Sequence, residues 1–331
     1  MRWLVALLWL AALLLAAWTL AQLPFAAIGQ TLGTLTLADS LAWLLLNAAI
    51  LAAAAWRWRQ LALALCTSLP LFTLLRLRLA GSTVNFLTPG PHLGGEPLQL
   101  YWLYRLYGLS LQRAMLVLGL DRFFELGTNF TVLLTAVALL ALSSTLALQD
   151  SLQVALFLLL VLIVLGVCAR LVLQQPAWLT ARLQQVAQRW QQHPRLQQID
   201  SHWQQLGSGL RAAIDTQQPR LWQALVLSLL GWLLLVSELA LLLHYAGVTP
   251  TPARLLLIMV AMRLAMLLPT PGGLGTVEAA LLWSFQLLQL SPAAAIGLMA
   301  LIRLRDAVVL IAGLWCLGYL RNGSRDNIPA H

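Results

Sequence analysis

Thr270-Pro271-Gly272-Gly273-Leu274-Gly275-Thr276-Val277-Glu278 interrupts a long apolar tract, and an earlier stretch, Thr88-Pro89-Gly90-Pro91-His92-Leu93-Gly94-Gly95-Glu96, repeats its pattern. In both, Glu follows the first Pro by seven residues. Ser110 stands 14 residues beyond the first Glu, and Ser291 stands 13 beyond the second. Arg122 and Arg303 each come 12 residues after that Ser, and an acid, Glu125 or Asp306, follows each Arg by three. A single insertion aligns the two stretches, so the chain carries an internal repeat. Proline removes a backbone donor and clashes with the preceding turn, while glycine tolerates conformations other residues avoid. Each unit therefore reads as an apolar helix, a break, a short helix and a long helix. These are 61–80, 97–111 and 114–142 in the first, and 253–268, 277–290 and 293–320 in the second.

Outward from the breaks, the chain is apolar almost throughout. Of its 331 residues, 60% are hydrophobic and only 9% charged, too few charges to solvate a globular domain of this size. Further apolar segments at 3–21, 39–56, 152–173 and 221–246 approach the roughly 20 residues that cross about 30 Å of hydrocarbon. The fold class expected is an all-α polytopic integral membrane protein. It has about eight spanning helices plus two short re-entrant helices, in one transmembrane domain over 1–331. Segment 3–21 has no small-residue cleavage site after it, so it reads as a retained helix rather than a signal peptide. Cys66, Cys168 and Cys316 sit in separate apolar segments and read as small packing residues without a disulfide framework.

The charge is +9, from 20 Arg, no Lys and 11 acids. Most arginines flank apolar segments, which points to topology and anionic lipid and excludes nucleic acid as a partner. Residues 22–38, 143–151 and 247–252 lack Arg, whereas Arg2, the pair Arg57 and Arg59, the loop 174–220 and the tail with Arg321 and Arg325 are basic. Arginine is retained on the cytoplasmic side, so those four regions and both termini are expected there, in the cytoplasmic (inner) membrane. The first repeat unit is then entered from inside and the second from outside, which makes them antiparallel. Inverted repeats with interrupted helices place a substrate near the midplane of the bilayer. The loop 174–220 carries Trp178, Trp190, Trp203 and several Leu at helical spacing against Arg and Gln. It reads either as helices lying in the membrane interface or as a cytoplasmic hairpin packed on itself. At this length it cannot form a catalytic domain with its own core.

Ionisable residues at membrane depth are costly and need partners or a function. Arg122 with Glu125, and Arg303 with Asp306, can pair at i,i+3. They serve either as satisfied ion pairs or as phosphate ligands, for which a guanidinium offers a planar fork of donors. Asp121 and Arg305 add to the two clusters. Glu96 and Glu278 open the short helices, where an acid complements the helix dipole; alternatively they pair with membrane arginines and close a cavity. The amides of Gly94, Gly95, Gly272, Gly273 and Gly275 could hold a phosphate at a helix start, or the breaks could be simple turns. Arg263 lies about 11 residues into its segment, near mid-membrane. Glu238 is expected to neutralise one of these arginines. His92 and His244 lack second ligands at metal spacing, and no catalytic triad, Walker loop or paired-aspartate motif appears, so no metal and no cofactor is expected.

Val84-Asn85-Phe86-Leu87-Thr88-Pro89, Gly94-Gly95-Glu96-Pro97 and Asp121-Arg122-Phe123-Phe124-Glu125 together resemble the first signature of the lysylphosphatidylglycerol synthase membrane-domain (flippase-like) family. Leu268-Pro269-Thr270-Pro271-Gly272-Gly273-Leu274-Gly275-Thr276-Val277-Glu278 resembles the second. Where that family usually shows Glu-Arg with a later Asp, this chain has Asp121-Arg122 and Glu125. The resemblance implies a stand-alone member without the soluble aminoacyltransferase domain, translocation of a lipid between leaflets, membrane lipids as partners, and a homodimer. The function expected is a lipid translocase, not an enzyme, moving a phosphate-bearing lipid through a cavity between the inverted units. Its headgroup would sit on Arg122, Arg303 and Arg263 beside the two breaks. The rival readings are a membrane enzyme modifying a lipid headgroup, with Glu96, Glu278, His92 or His244 as acid or base, and a non-transporting partner subunit.

Overall fold

The computed structural model describes residues 33, 35–88, 94–143, 148–178, 181–182, 199–268 and 270–326. Segment 3–21, Arg2, Pro89 to Leu93 with His92, Pro269 and the loop residues 183–198 lie outside the described residues, as do the side chains of Arg321 and Arg325. Among the described residues the chain forms ten α-helices and one 3-10 turn, with no strand. The helices are α1 Leu37–Ala64, α2 Leu71–Leu87, α3 Glu96–Arg105, α4 Leu111–Leu142 and α5 Leu148–Gln174. After these come α6 Ile199–Thr216, α7 Gln218–Tyr245, α8 Pro252–Ala265, α9 Thr276–Leu287 and α10 Pro292–Asp326. Four of them, Leu37–Ala64, Leu111–Leu142, Gln149–Gln174 and Gln218–Tyr245, are long and apolar enough to cross a membrane.

Local chemistry sets the helix ends. Thr36 and Asp39 cap α1 reciprocally: the Asp39 N–H donates to the Thr36 hydroxyl oxygen at 3.2 Å, and the Thr36 N–H donates to Asp39 Oδ2 at 3.0 Å. Ser110, the serine shared by the two repeats, is the N-cap of α4 and accepts from the Arg113 N–H. Its counterpart Ser291 precedes Pro292, the first residue of α10, where a missing N–H costs nothing. Within the helices, hydroxyls turn back onto the preceding turn. Thr128, Thr131 and Thr135 of α4 donate to the carbonyls of Phe124, Gly127 and Thr131, so none of them presents an unpaired O–H to lipid.

One expectation is corrected. The boundary drawn at Arg57 and Arg59, between segments 39–56 and 61–80, is the interior of α1. The helix runs on to Ala64 because Arg57, 7% exposed, is neutralised by acids on α4. Its end comes at Cys66, which adopts φ 54°, with the Thr67 N–H reaching back to the Ala62 carbonyl and Pro70 beyond. Cys66 is therefore an exposed cap residue, and Cys168 is exposed on α5; only Cys316 packs in a buried position. The short helices also stop earlier than their apolar runs, at Arg105 and Leu287, where Gly108 and Gln289 take positive φ.

The chain divides into two compact units interleaved in sequence. One comprises Ala53–Leu74 and Leu103–Leu230. Here α4, α5 and α6 pack on one another, and Leu61, Leu120 and Ala224 form a buried cluster flanked by Leu210. The amphipathic helix α6 thus docks on α4 and α5 of its own unit, and Arg211 donates to Gln175 at 2.8 Å. The other unit comprises Met1–Ala52, Leu75–Trp102 and Gly231–His331. In it α9 packs between α8 and α10, and Leu87 of α2 meets Leu310 of α10. These units differ from the sequence repeat: both helix breaks fall in the second unit described, and α4 falls in the first.

Candidate functional site

The later break begins where α8 ends. Pro271–Gly273 forms a single 3-10 turn, and Gly272, Gly273 and Gly275 take φ of 56°, 65° and 81°, a region that costs a side-chain-bearing residue dearly. A Cβ on Gly272 would strike the Phe86 ring of α2. Glu278, at the third position of α9, accepts the Gly275 N–H on Oε2 at 2.8 Å, closing the helix start.

Arg303 of α10 reaches into this turn, and each of its three nitrogens has a partner there. Its Nε donates to Glu278 Oε1 at 2.6 Å, and Nη2 meets the same oxygen at 2.5 Å. Nη2 also donates to the Gly273 carbonyl at 3.2 Å, and Nη1 donates to the Gly272 carbonyl at 3.0 Å and to Asp306 Oδ2 at 3.3 Å. The side chain of Arg303 is 7% exposed and that of Glu278 29%, so the carboxylate covers the guanidinium from the open side. The glycine carbonyls, rather than their amides, face the charge. The Gly273 N–H is given to the Thr270 carbonyl and the Gly275 N–H to Glu278.

The polar chain continues through the unit. Asp306 binds Arg305 through Oδ1 at 3.0 Å, Arg305 Nη1 donates to Glu238 Oε2 of α7 at 3.0 Å, and Trp43 Nε1 of α1 donates to Glu238 Oε1 at 3.2 Å. Glu238 is 2% exposed, a position at which a carboxylate is tolerated only with such partners. Glu278 thus meets Arg303, and Glu238 meets Arg305. Arg263 lies in the last turn of α8, which ends sooner than its apolar run, and its guanidinium sits 4.9 Å from the centroid of the Trp232 ring.

The earlier break is held differently. Asn85 of α2 accepts the Gly95 N–H on Oδ1 at 2.5 Å, and its amide nitrogen lies 3.5 Å from Glu96 Oε1. Gly95 lies against the Gly81 carbonyl, so the backbones of α2 and the α3 start touch where no Cβ fits. Gly94 lies as closely against Thr88. Fully buried Gln99 donates to the Leu77 carbonyl at 3.1 Å and ties α3 to α2.

Arg122 belongs to the other unit. There Arg57 Nε donates to Asp121 Oδ1 at 2.9 Å, Arg57 Nη2 to Glu125 Oε2 at 3.1 Å, and Arg122 Nη1 to the same Glu125 oxygen at 3.0 Å. Glu125 is thus shared by two arginines. The structure gathers Arg303, Arg305, Asp306, Glu278, Glu238 and Gly272, Gly273 and Gly275 into one network, and gathers Arg122, Asp121 and Glu125 into another. Sequence reasoning misses Arg57, which reads as a loop residue, and also Asn85 and Trp43. The signal that points to Arg57 is an arginine pair, Arg57 and Arg59, set between two apolar stretches of one helix.

The chain's residues 3–313 match the family model described as lysylphosphatidylglycerol synthase TM region. It belongs to this family. The match spans both breaks and both arginine clusters, and with the four apolar helices it makes the chain a membrane protein of a family related to lipid modification or transport. No curated protein and no solved structure matches it.

Proposed function

We propose that this member of the lysylphosphatidylglycerol synthase TM-region family is a lipid translocase that carries a phosphate-bearing lipid (a phospholipid, an isoprenoid-linked lipid or a glycolipid) between leaflets of the cytoplasmic membrane. The observation that carries the reading is the Arg303 clamp. A mere structural pair needs one acid, whereas here a guanidinium is shared between two carboxylates and the carbonyls of a helix interruption. Backbone interrupted at membrane depth is tolerated where it is buried in protein or lines a cavity, and interrupted helices are where transporters hold substrates. The guanidinium fork that grips Glu278 matches a phosphodiester equally well.

A headgroup phosphate exchanges with Glu278 on Arg303 while the lipid's chains stay in the bilayer. Glu278 keeps its bond to the Gly275 N–H, so the helix start survives the exchange. Arg122 offers the same exchange at Glu125 within its own unit. The site is exposed to each leaflet in turn by two antiparallel repeat units, with both termini in the cytoplasm. A reporter fused after Gln149 is then external and one within 190–210 cytoplasmic. The test of function is leaflet exchange of fluorescent phosphatidylglycerol and of a labelled polyprenyl phosphate in proteoliposomes, read by dithionite quenching. Exchange faster than in protein-free vesicles, slowed by Arg303→Lys, supports the reading. Rates equal to protein-free vesicles for both lipids would refute it.

A further inference from the structure

We infer that phosphate binding at Arg303 is linked to uptake of one proton by Glu278, so that the lipid moves together with a proton. The inference rests on the translocase reading of this same site and goes beyond it in naming the coupled ion. Because each nitrogen of Arg303 already has a partner, an anion reaches the fork by displacing one of them. Of the two acids, Asp306 keeps Arg305 at 3.0 Å when it leaves Arg303. Glu278 keeps only the Gly275 N–H. Glu278 is also the more exposed acid, 29% against 16%, and so is the one an entering headgroup meets.

The surroundings of Glu278 decide whether it stays ionised once Arg303 is taken. From α10 it meets Arg303, with Asp306 and Arg305 behind, and Arg305 is in turn held by Glu238 of α7. From α8, Arg263 sits on the Trp232 ring and Arg254 binds Thr249. From α2, Arg76 sits on the Tyr319 ring, and Arg78 lies on the same helix; Glu96 of α3 is beside Asn85. Among the described residues, the charged group bonded to Glu278 is Arg303.

Once a phosphodiester takes Arg303, an ionised Glu278 would add a second negative charge beside it. Loss of a counter-charge, partial burial and a like-charged neighbour all favour the neutral acid. Before binding, the pair is one guanidinium cation and one carboxylate anion. Afterwards it is the guanidinium cation, one phosphodiester anion and one neutral carboxylic acid, so the charge of the site is unchanged and one proton has been taken up. The complex holds one more proton than the free protein, so affinity rises as pH falls.

Two measurements on the full-length protein test this. Titration of detergent-solubilised protein with dihexanoyl phosphatidylglycerol, in buffers of differing ionisation enthalpy, should report uptake of about one proton per lipid, and an affinity gain approaching about tenfold per unit fall in pH. In proteoliposomes with trapped pyranine, exchange of labelled phosphatidylglycerol should carry protons, and a pH gradient should bias the leaflet distribution. Glu278→Gln should bind without proton uptake and lose the pH dependence. Wild-type binding and exchange without proton uptake would overturn the coupling and leave the translocase standing. Absence of binding and exchange with phosphatidylglycerol and with the polyprenyl phosphate alike would overturn the two together. Should Glu278→Gln fail to fold, the wild-type proton count decides alone.

Discussion

The two helix breaks share a sequence pattern, and different chemistry holds each of them. At the first, a neutral amide, Asn85, bonds the Gly95 N–H and lies beside Glu96, and two glycine backbones touch at Gly81 and Gly95. At the second, Asn85 has the apolar Leu267 as its counterpart, four residues before the proline, and a charged clamp, Arg303 with Glu278, takes over the task. The first break is closed by groups that cannot be exchanged for a ligand without leaving an amide unpaired. The second is closed by an ion pair, Arg303 with Glu278, and under the proposed function its carboxylate is the group a phosphate replaces. A shared break motif thus fixes where the chain is interrupted, while partners supplied by other helices decide how the interruption is held.

Three substitutions would break or sharpen the contrast, read as thermal unfolding in detergent. The largest effect is expected for Arg303→Ala, which leaves Glu278 and two carbonyls without their donor; breaking a buried pair costs about 3–5 kcal/mol. Adding Glu278→Gln should recover part of that loss, and no recovery would mean that the carbonyl contacts, not the ion pair, hold the turn. Asn85→Ala should cost less, about 1–3 kcal/mol, because it orphans one neutral N–H. A loss at Asn85 as large as at Arg303 would erase the distinction between the breaks. Gly272→Ala should cost least, about 1–2 kcal/mol for its left-handed φ, since the Phe86 ring can swing aside. A larger loss there would show that Phe86 is fixed.

Much of this is legible in the chain. The breaks are announced by proline and glycine, the long helices begin at Ser110 and next to Ser291 as the repeat requires, and the i,i+3 spacing gives Arg303 with Asp306 and Arg122 with Glu125. What spacing cannot show is a partner brought in by folding. Arg57 meets Asp121 across 64 residues, and Arg305 meets Glu238 across 67. Without those partners Arg57 looks like the end of a helix, and a segment boundary drawn there falls short. The glycines are legible as a break but not in their polarity, since the orientation of Gly272 and Gly273 presents carbonyls to Arg303.

Whether Arg303 carries the lipid phosphate is tested by leaflet exchange in the neutral double variant Arg303→Gln with Glu278→Gln. With the ion pair removed as a unit, this protein should still fold and reconstitute, and unfold at a higher temperature than the Arg303→Ala single variant. Its exchange of labelled phosphatidylglycerol should fall to the rate of protein-free vesicles. Exchange at the wild-type rate by the folded double variant would make Arg303 a brace for the Gly272–Gly273 turn and no lipid ligand.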